Sequence, residues 1–201
     1  MTARRRTDPP DHATPPVRHA DAPPPGSQLG SHYRRCFGCG PEHPTGLHLS
    51  LTAGEGCTIH AELRVTEHHQ GAPGLAHGGL LAAAFDEALG TVTWLLRQPV
   101  VTAHLETDYR LPVPVGSVVS IDAECFAVAG RKIYSRATGR LLGAQVGGTP
   151  DDPNPIAVEA RAVFVQVPLE HFRAHGRSED IAEFVADSTE EDVHHAFEVN
   201  P

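Results

Sequence analysis

Residues 77 to about 96 are apolar almost all round, opened by His77-Gly78-Gly79 and interrupted by one pair of carboxylates, Asp86-Glu87. A helix without a polar face must be covered on most of its sides. A carboxylate under such cover is costly unless it is paired or neutralised. The rest of the chain must therefore supply a wrapping layer, and at least one of Asp86 and Glu87 is expected to serve a function.

The wrapping layer is visible as alternation. Leu47, Leu49 and Leu51, then Cys57, Ile59, Ala61, Leu63 and Val65, recur with period two, which predicts half-buried strands over 47–51 and 57–65. Ala53-Gly54-Glu55-Gly56 suits a hairpin between them. Pro99 stops the helix and biases Gln98 away from helical dihedrals. Four more strands are expected near 100–111, 117–129, 131–142 and 155–168, separated by turn signals at 112–116, Gly130 and 147–153. The order β-β-α-β-β-β-β predicts an α+β fold in which a curved antiparallel sheet wraps one long central helix.

Both ends differ from this middle. Residues 1–30 hold seven of the 18 prolines and almost no large apolar side chains, so their composition predicts disorder. Residues 31–168 are expected to form the domain. Residues 169–201 read as a short helix near 169–174 and a weakly amphipathic acidic tail bearing Ile181, Phe184, Val185, Val193 and Phe197. The formal charge is −9, but eight of the 25 acids lie in 178–201, where there is no Lys or Arg. The body is thus nearly neutral, which argues against nucleic-acid binding by phosphate neutralisation. No apolar run long and clean enough for a membrane span is expected, because Asp86-Glu87 would be expensive in lipid. Arg4-Arg5-Arg6 is not followed by an apolar stretch, so no secretory signal is expected and the location is read as cytoplasmic. Cys36-Phe37-Gly38-Cys39 is half of a zinc site, whose other half would have to come from His32, His43, His48 or a partner chain. Without a second such pair, the expectation is a Gly/Pro-rich entry loop with small buried thiols and no metal.

Four features bear on chemistry. Unpaired N–H groups at a helix N-terminus favour an anion or developing oxyanion, and Gly78-Gly79 would let a carbonyl approach them. Asp86 follows His77 by nine residues, half a turn away and about 13 Å along one helix, so the two ends would meet at one carbonyl only across a symmetric dimer. In strand 100–111, Thr102, His104, Glu106, Asp108 and Arg110 are expected on one face of the sheet. Arg131 and Lys132, beside Gly130 at a hairpin, suit a phosphate.

These residues resemble the hotdog-fold acyl-CoA thioesterases of the PaaI-type branch, over about 36–167. The resemblance rests on Pro73-Gly74-Leu75-Ala76-His77-Gly78-Gly79 followed by Asp86, on Thr102 sixteen residues later, and on Cys36-Phe37-Gly38-Cys39-Gly40 with Pro44-Thr45-Gly46-Leu47. It implies a hotdog fold in a homodimer or dimer of dimers, acting on acyl-CoA without a cofactor. It implies that the Gly78 N–H polarises the thioester carbonyl and that Asp86 acts as general base or nucleophile, with His77 shaping the helix start. Thr102 would hold the water or the carboxylate. Gln70, Gly79 and Asp108 would line the substrate site, and Arg110, Arg131 and Lys132 would meet coenzyme A phosphates. Gly71, with Gln70 beside it, stands where related thioesterases carry Asn or Gln. Asp108 replaces an Asn. A hotdog hydratase or dehydratase, with Asp86 paired to His77 or His104 across the dimer, and a non-catalytic acyl-CoA binder are the alternatives.

Overall fold

Strands and helix follow the two periodicities of the sequence. A computed structural model describes residues 4–143, 147–149 and 151–187. In chain order they form β1 (Gln28–Leu29), β2 (Ser50–Ala53), β3 (Thr58–Arg64), a small hairpin of β4 (Gln70–Ala72) and β5 (Leu75–Ala76), and helix α1 (Gly78–Thr91). Then come β6 (Val100–Tyr109), β7 (Val118–Ala129), β8 (Lys132–Leu141), β9 (Ile156–Gln166) and two short helices, α2 (Leu169–His175) and α3 (Ser178–Asp187). Seven strands make one antiparallel sheet in the order β1-β2-β3-β7-β8-β9-β6, so β6 is an edge strand.

The sheet curls around α1, as an apolar helix requires. Leu81, Ala84, Phe85, Ala88 and Leu89 are buried against Ile59, Leu63, Ile121, Ile133 and Phe164 of the strands. Phe85 and Leu89 are fully buried. Phe85→Ala is expected to lower stability by about 3–5 kcal/mol, through lost burial and the cavity left behind, read as a drop in the urea midpoint. The helical stretch does not continue unchanged to residue 96. Val92–Leu96 tightens into a 3-10 turn, ended by Arg97 at φ 56°. The Thr91 and Thr93 hydroxyls donate back to the carbonyls of Glu87 and Gly90 at 2.9 and 2.7 Å, a bonding pattern that competes with a regular helix.

Gly78–Leu96 has the length and mean hydropathy (1.3) of a membrane span, contrary to the expectation that no stretch would. Rather more than half of it, 56%, is buried within the domain.

The ends are more ordered than composition suggests. Residues 4–30, expected to be disordered, lie along the domain, and β1 pairs with β2. The anchors are backbone and polar groups rather than large apolar side chains. Thr7 is fully buried and donates to Glu106 at 3.0 Å; Thr14 and Val128 exchange backbone bonds at 2.9 Å; Arg18 donates to the Gly54 carbonyl at 2.8 Å. At the other end α2 falls where a short helix was expected. Glu183 of α3 pairs with Arg34 and Arg35, and Tyr33 donates to Asp180 at 3.5 Å, so α3 docks on the segment before Cys36. Val193 and Phe197 lie outside the described residues.

Candidate active site

The start of α1 is built by His77 and the hairpin before it. The His77 N–H donates to the His69 carbonyl at 2.8 Å, while Leu80 and Leu81 donate to the His77 carbonyl at 3.0 and 3.1 Å. The ring of His77 caps the helix, its Nδ1 accepting the Gly79 N–H at 2.9 Å. This requires a glycine at 71, because a Cβ there would stand 2.7 Å from His77 Cα and 2.8 Å from its ring. Gly71 thus leaves room for the cap. The Gly79 N–H is spent in that cap. The Gly78 N–H has no acceptor among the described residues, and the Gly78 carbonyl accepts from the Tyr109 hydroxyl at 2.7 Å. One free donor, at the positive end of the helix dipole, is left facing outward.

Asp86 lies eight residues further, about 12 Å along the axis. Its Oδ1 accepts from the Thr102 hydroxyl at 2.9 Å. Burial pushes its carboxyl above the usual range; the Thr102 bond pulls the other way, and the neighbouring Glu87 adds to the rise. The result is a half-buried base held in one rotamer, with its proton affinity moved toward neutrality. Glu87, about 100° round the helix, turns to a different cluster, formed with His32, Cys36 and Cys39.

Thr102 reaches Asp86 because β6 carries a bulge. Thr102 pairs with Phe164 and His104 with Val163, so Ala103 is the extra residue and the faces exchange after it. The expected common face of Thr102, His104, Glu106, Asp108 and Arg110 is therefore divided. Thr102 points to α1, whereas the other four lie on the convex side, opposite strand β9. There His104 Nε2 meets Glu106 at 3.2 Å and Arg110 donates to Glu159 at 2.8 Å. Asp108 and Arg110 are thus turned away from Asp86 in their own chain, and Asp108 stands about 20 Å along the strand from Thr102. The same flip brings Tyr109 onto the helix, a role its place among the apolar positions concealed.

Gln70 is occupied locally: its amide donates to the Glu67 carbonyl at 3.2 Å and its Oε1 accepts the Gly74 N–H at 2.8 Å, closing the β4–β5 hairpin. Arg131 and Lys132 form an exposed tip between β7 and β8. Lys132 is opposite Val165, which is opposite Val101. The tip therefore stands at the Thr102 end of the sheet, two strands and about 10 Å away.

This arrangement can be placed among known proteins. Residues 73–143 match the thioesterase superfamily. Acyl-coenzyme A thioesterase THEM4 of Xenopus laevis is 33% identical over 98 residues, covering 49% of this chain and 40% of that protein. The chain spans about two fifths of the length of the curated relatives it matches. A crystal structure of a thioesterase superfamily protein superposes with a TM-score of 0.57 at 25% identity, over 73% of this chain and 70% of the other. The PaaI protein of E. coli shares the fold, with a TM-score of 0.51 at 12% identity over 60% and 80% of the two chains. Helix wrapped by sheet and matched structures agree on the hotdog fold, and residues 73–143 within it are similar to the thioesterase superfamily.

Proposed function

We propose that this chain hydrolyses acyl-CoA thioesters in a two-fold homodimer, with Asp86 of one protomer and the Gly78 N–H of its partner at each site. The observation that carries this reading is a held base and a free backbone donor on one helix, too far apart to serve one carbonyl. Two such helices related by a two-fold axis bring the ends together twice. The side of α1 bearing Gly79, Ala82 and Asp86 is only partly covered, and β6 beside it is an edge with unpaired backbone groups. A second copy would cover both. The THEM4 proteins that the chain resembles are acyl-coenzyme A thioesterases by name.

In the proposed reaction, Asp86 takes a proton from water as the water oxygen bonds to the thioester carbon. The carbonyl oxygen gathers negative charge against the Gly78 N–H. The C–S bond then breaks, and the sulfur leaves as coenzyme A after taking up a proton. Direct attack by the Asp86 carboxylate, followed by hydrolysis of the anhydride, uses the same groups. Arg131 and Lys132 at the mouth would meet coenzyme A phosphates as fork and point charge. The hydratase alternative would need Asp86 to meet His77 or His104 across the dimer; His104 lies on the opposite face of β6, and His77, beside Gly78, has Nδ1 committed to the cap.

Thiol release over a panel of short, medium, long and aryl acyl-CoAs tests the reading, with Asp86→Asn as control. Turnover lost in the variant supports it. Tight binding without turnover in the unaltered chain would make the protein an acyl-CoA binder instead. Thr102 is a positioning residue, since it acts through Asp86. Thr102→Val is expected to lower kcat about 10- to 100-fold, the worth of one hydrogen bond to a charged group. Thr102→Ser should restore most of it, which a merely packing role for the threonine would not explain.

A further inference from the structure

The second carboxylate of the helix has its own destination. Glu87 is nearly enclosed, its side chain 13% exposed, yet among the described residues no Lys or Arg pairs with it. Its oxygens face a loop that precedes β2. Oε1 is 3.5 Å from His32 Nδ1 and Oε2 is 3.4 Å from Cys36 Sγ. Cys39 Sγ is 3.2 Å from the same His32 nitrogen. All four donor atoms lie within 4.8 Å of one another.

The loop is shaped to converge these donors. The Gly38 N–H donates to Cys36 Sγ at 3.3 Å, and the Gly40 N–H to the Cys36 carbonyl at 2.8 Å, a tight turn that aims both sulfurs inward. A Cβ at Gly38 would lie 2.4 Å from Glu87 Oε2, so any larger residue would displace the Glu87 side chain. The His32 ring stands edge-on to Trp94, with centroids 5.9 Å apart, and Ser31 Oγ lies 3.4 Å from Cys39 Sγ. Strand-like bonds from Leu47 to the Phe37 carbonyl (2.7 Å) and from Leu49 to the Gly38 carbonyl (3.0 Å) fix the turn against the domain. Two thiols and a nearly enclosed carboxylate, brought together with an imidazole at the surface, have the composition of a metal site.

We infer that His32, Cys36, Cys39 and Glu87 bind a zinc ion that clamps the entry loop to α1 beside Asp86. Zinc takes thiolate, imidazole and carboxylate ligands tetrahedrally, with ligand atoms roughly 3.3–3.8 Å apart. Separations of 3.4 and 3.5 Å fall at that spacing, 3.2 Å lies just below it, and all four ligand atoms lie within 4.8 Å of one another. Softer thiolates together with imidazole select zinc over magnesium or calcium. Four protein ligands close the coordination sphere, so the ion is structural. On binding, the thiols give up their protons to solvent and the ion neutralises most of the resulting negative charge. The site completes the Cys-x-x-Cys half-site with His32 and with Glu87, 48 residues beyond Cys39 in the chain. The inference stands apart from the thioesterase reading, and its test does not use turnover.

The full chain, purified under reducing conditions, should carry about one zinc per chain by elemental mass spectrometry. After stripping by a chelator, titration with Co²⁺ should give thiolate-to-cobalt charge transfer in the near ultraviolet and the intense visible bands of a tetrahedral ion. Chelation should lower the melting temperature and zinc should restore it. Glu87→Gln, which keeps the shape of the side chain, should weaken zinc binding about 10-fold or more. The paired change Cys36→Ser and Cys39→Ser should abolish the cobalt spectrum. A reduced, unaltered chain that gives no tetrahedral cobalt spectrum would overturn the inference without recourse to any variant. So would a spectrum that survives the cysteine changes, or a Cys36–Cys39 disulfide in freshly isolated, metal-free protein.

Discussion

Asp86→Asn is expected to reduce thiol release from acyl-CoA by about 100- to 10,000-fold, the usual worth of a positioned general base, while leaving the fold intact. Asparagine keeps the shape and still accepts the Thr102 hydroxyl bond that holds the side chain at 2.9 Å. It cannot take a proton from water or attack a carbonyl. Stability should not fall. Burial raises the carboxyl's pKa in the folded chain, so the folded state holds this proton more tightly than the unfolded one. Stability contributed by this group therefore declines as pH rises through its titration range. Asparagine removes that decline, and the urea midpoint at neutral pH should be equal to or above that of the unaltered chain. Nor can the adjacent acid stand in. Glu87 is directed at His32 and Cys36 and lies about 100° away round the helix.

Gly78→Pro is expected to cost about 100- to 1000-fold in kcat, the range for loss of one aimed oxyanion donor. Position 78 is the first residue of α1, where proline is tolerated because the N–H has no helical acceptor. His77 before it already has φ −72° and ψ 130°, the extended conformation that a following proline demands. A Cβ at 78 would make only ordinary contact, 3.4 Å from the Tyr109 ring. The substitution thus deletes the donor and spares the helix. Gly78→Ala retains the N–H and is the control: it should keep most of the activity. Equal kcat in the proline and alanine variants would remove the Gly78 N–H from the mechanism.

Much of this could be read from the chain. An apolar stretch with no solvent face dictated a buried helix, and the alternating segments dictated the sheet around it. The nine-residue spacing set His77 and Asp86 about 13 Å apart along that helix. What escaped depended on contacts between distant segments. The bulge at Ala103 leaves no mark in the alternation of 100–111, yet it sends Thr102 to α1 and the next four polar residues to the convex side. The proline-rich start lacked apolar bulk and read as disordered, but polar anchors such as Thr7 and Arg18 hold it to the domain. The need for glycine at 71 becomes visible only once His77 folds back over it. The cysteine pair looked like an incomplete motif because Glu87, its remaining neighbour, belongs to a helix that begins well after it.

A mixed dimer tests the shared site most directly. Asp86→Asn and Gly78→Pro chains, each with a different affinity tag, would be refolded or expressed together, and the doubly tagged dimer isolated. If each site takes Asp86 from one protomer and the Gly78 N–H from the other, one site of the mixed dimer carries both lesions and the other carries neither. Thiol release should then recover to about half that of the unaltered dimer, from two parents that are each nearly inactive. Mixed dimers as inactive as their parents would mean that base and donor act within one chain or not at all, and would contradict the arrangement.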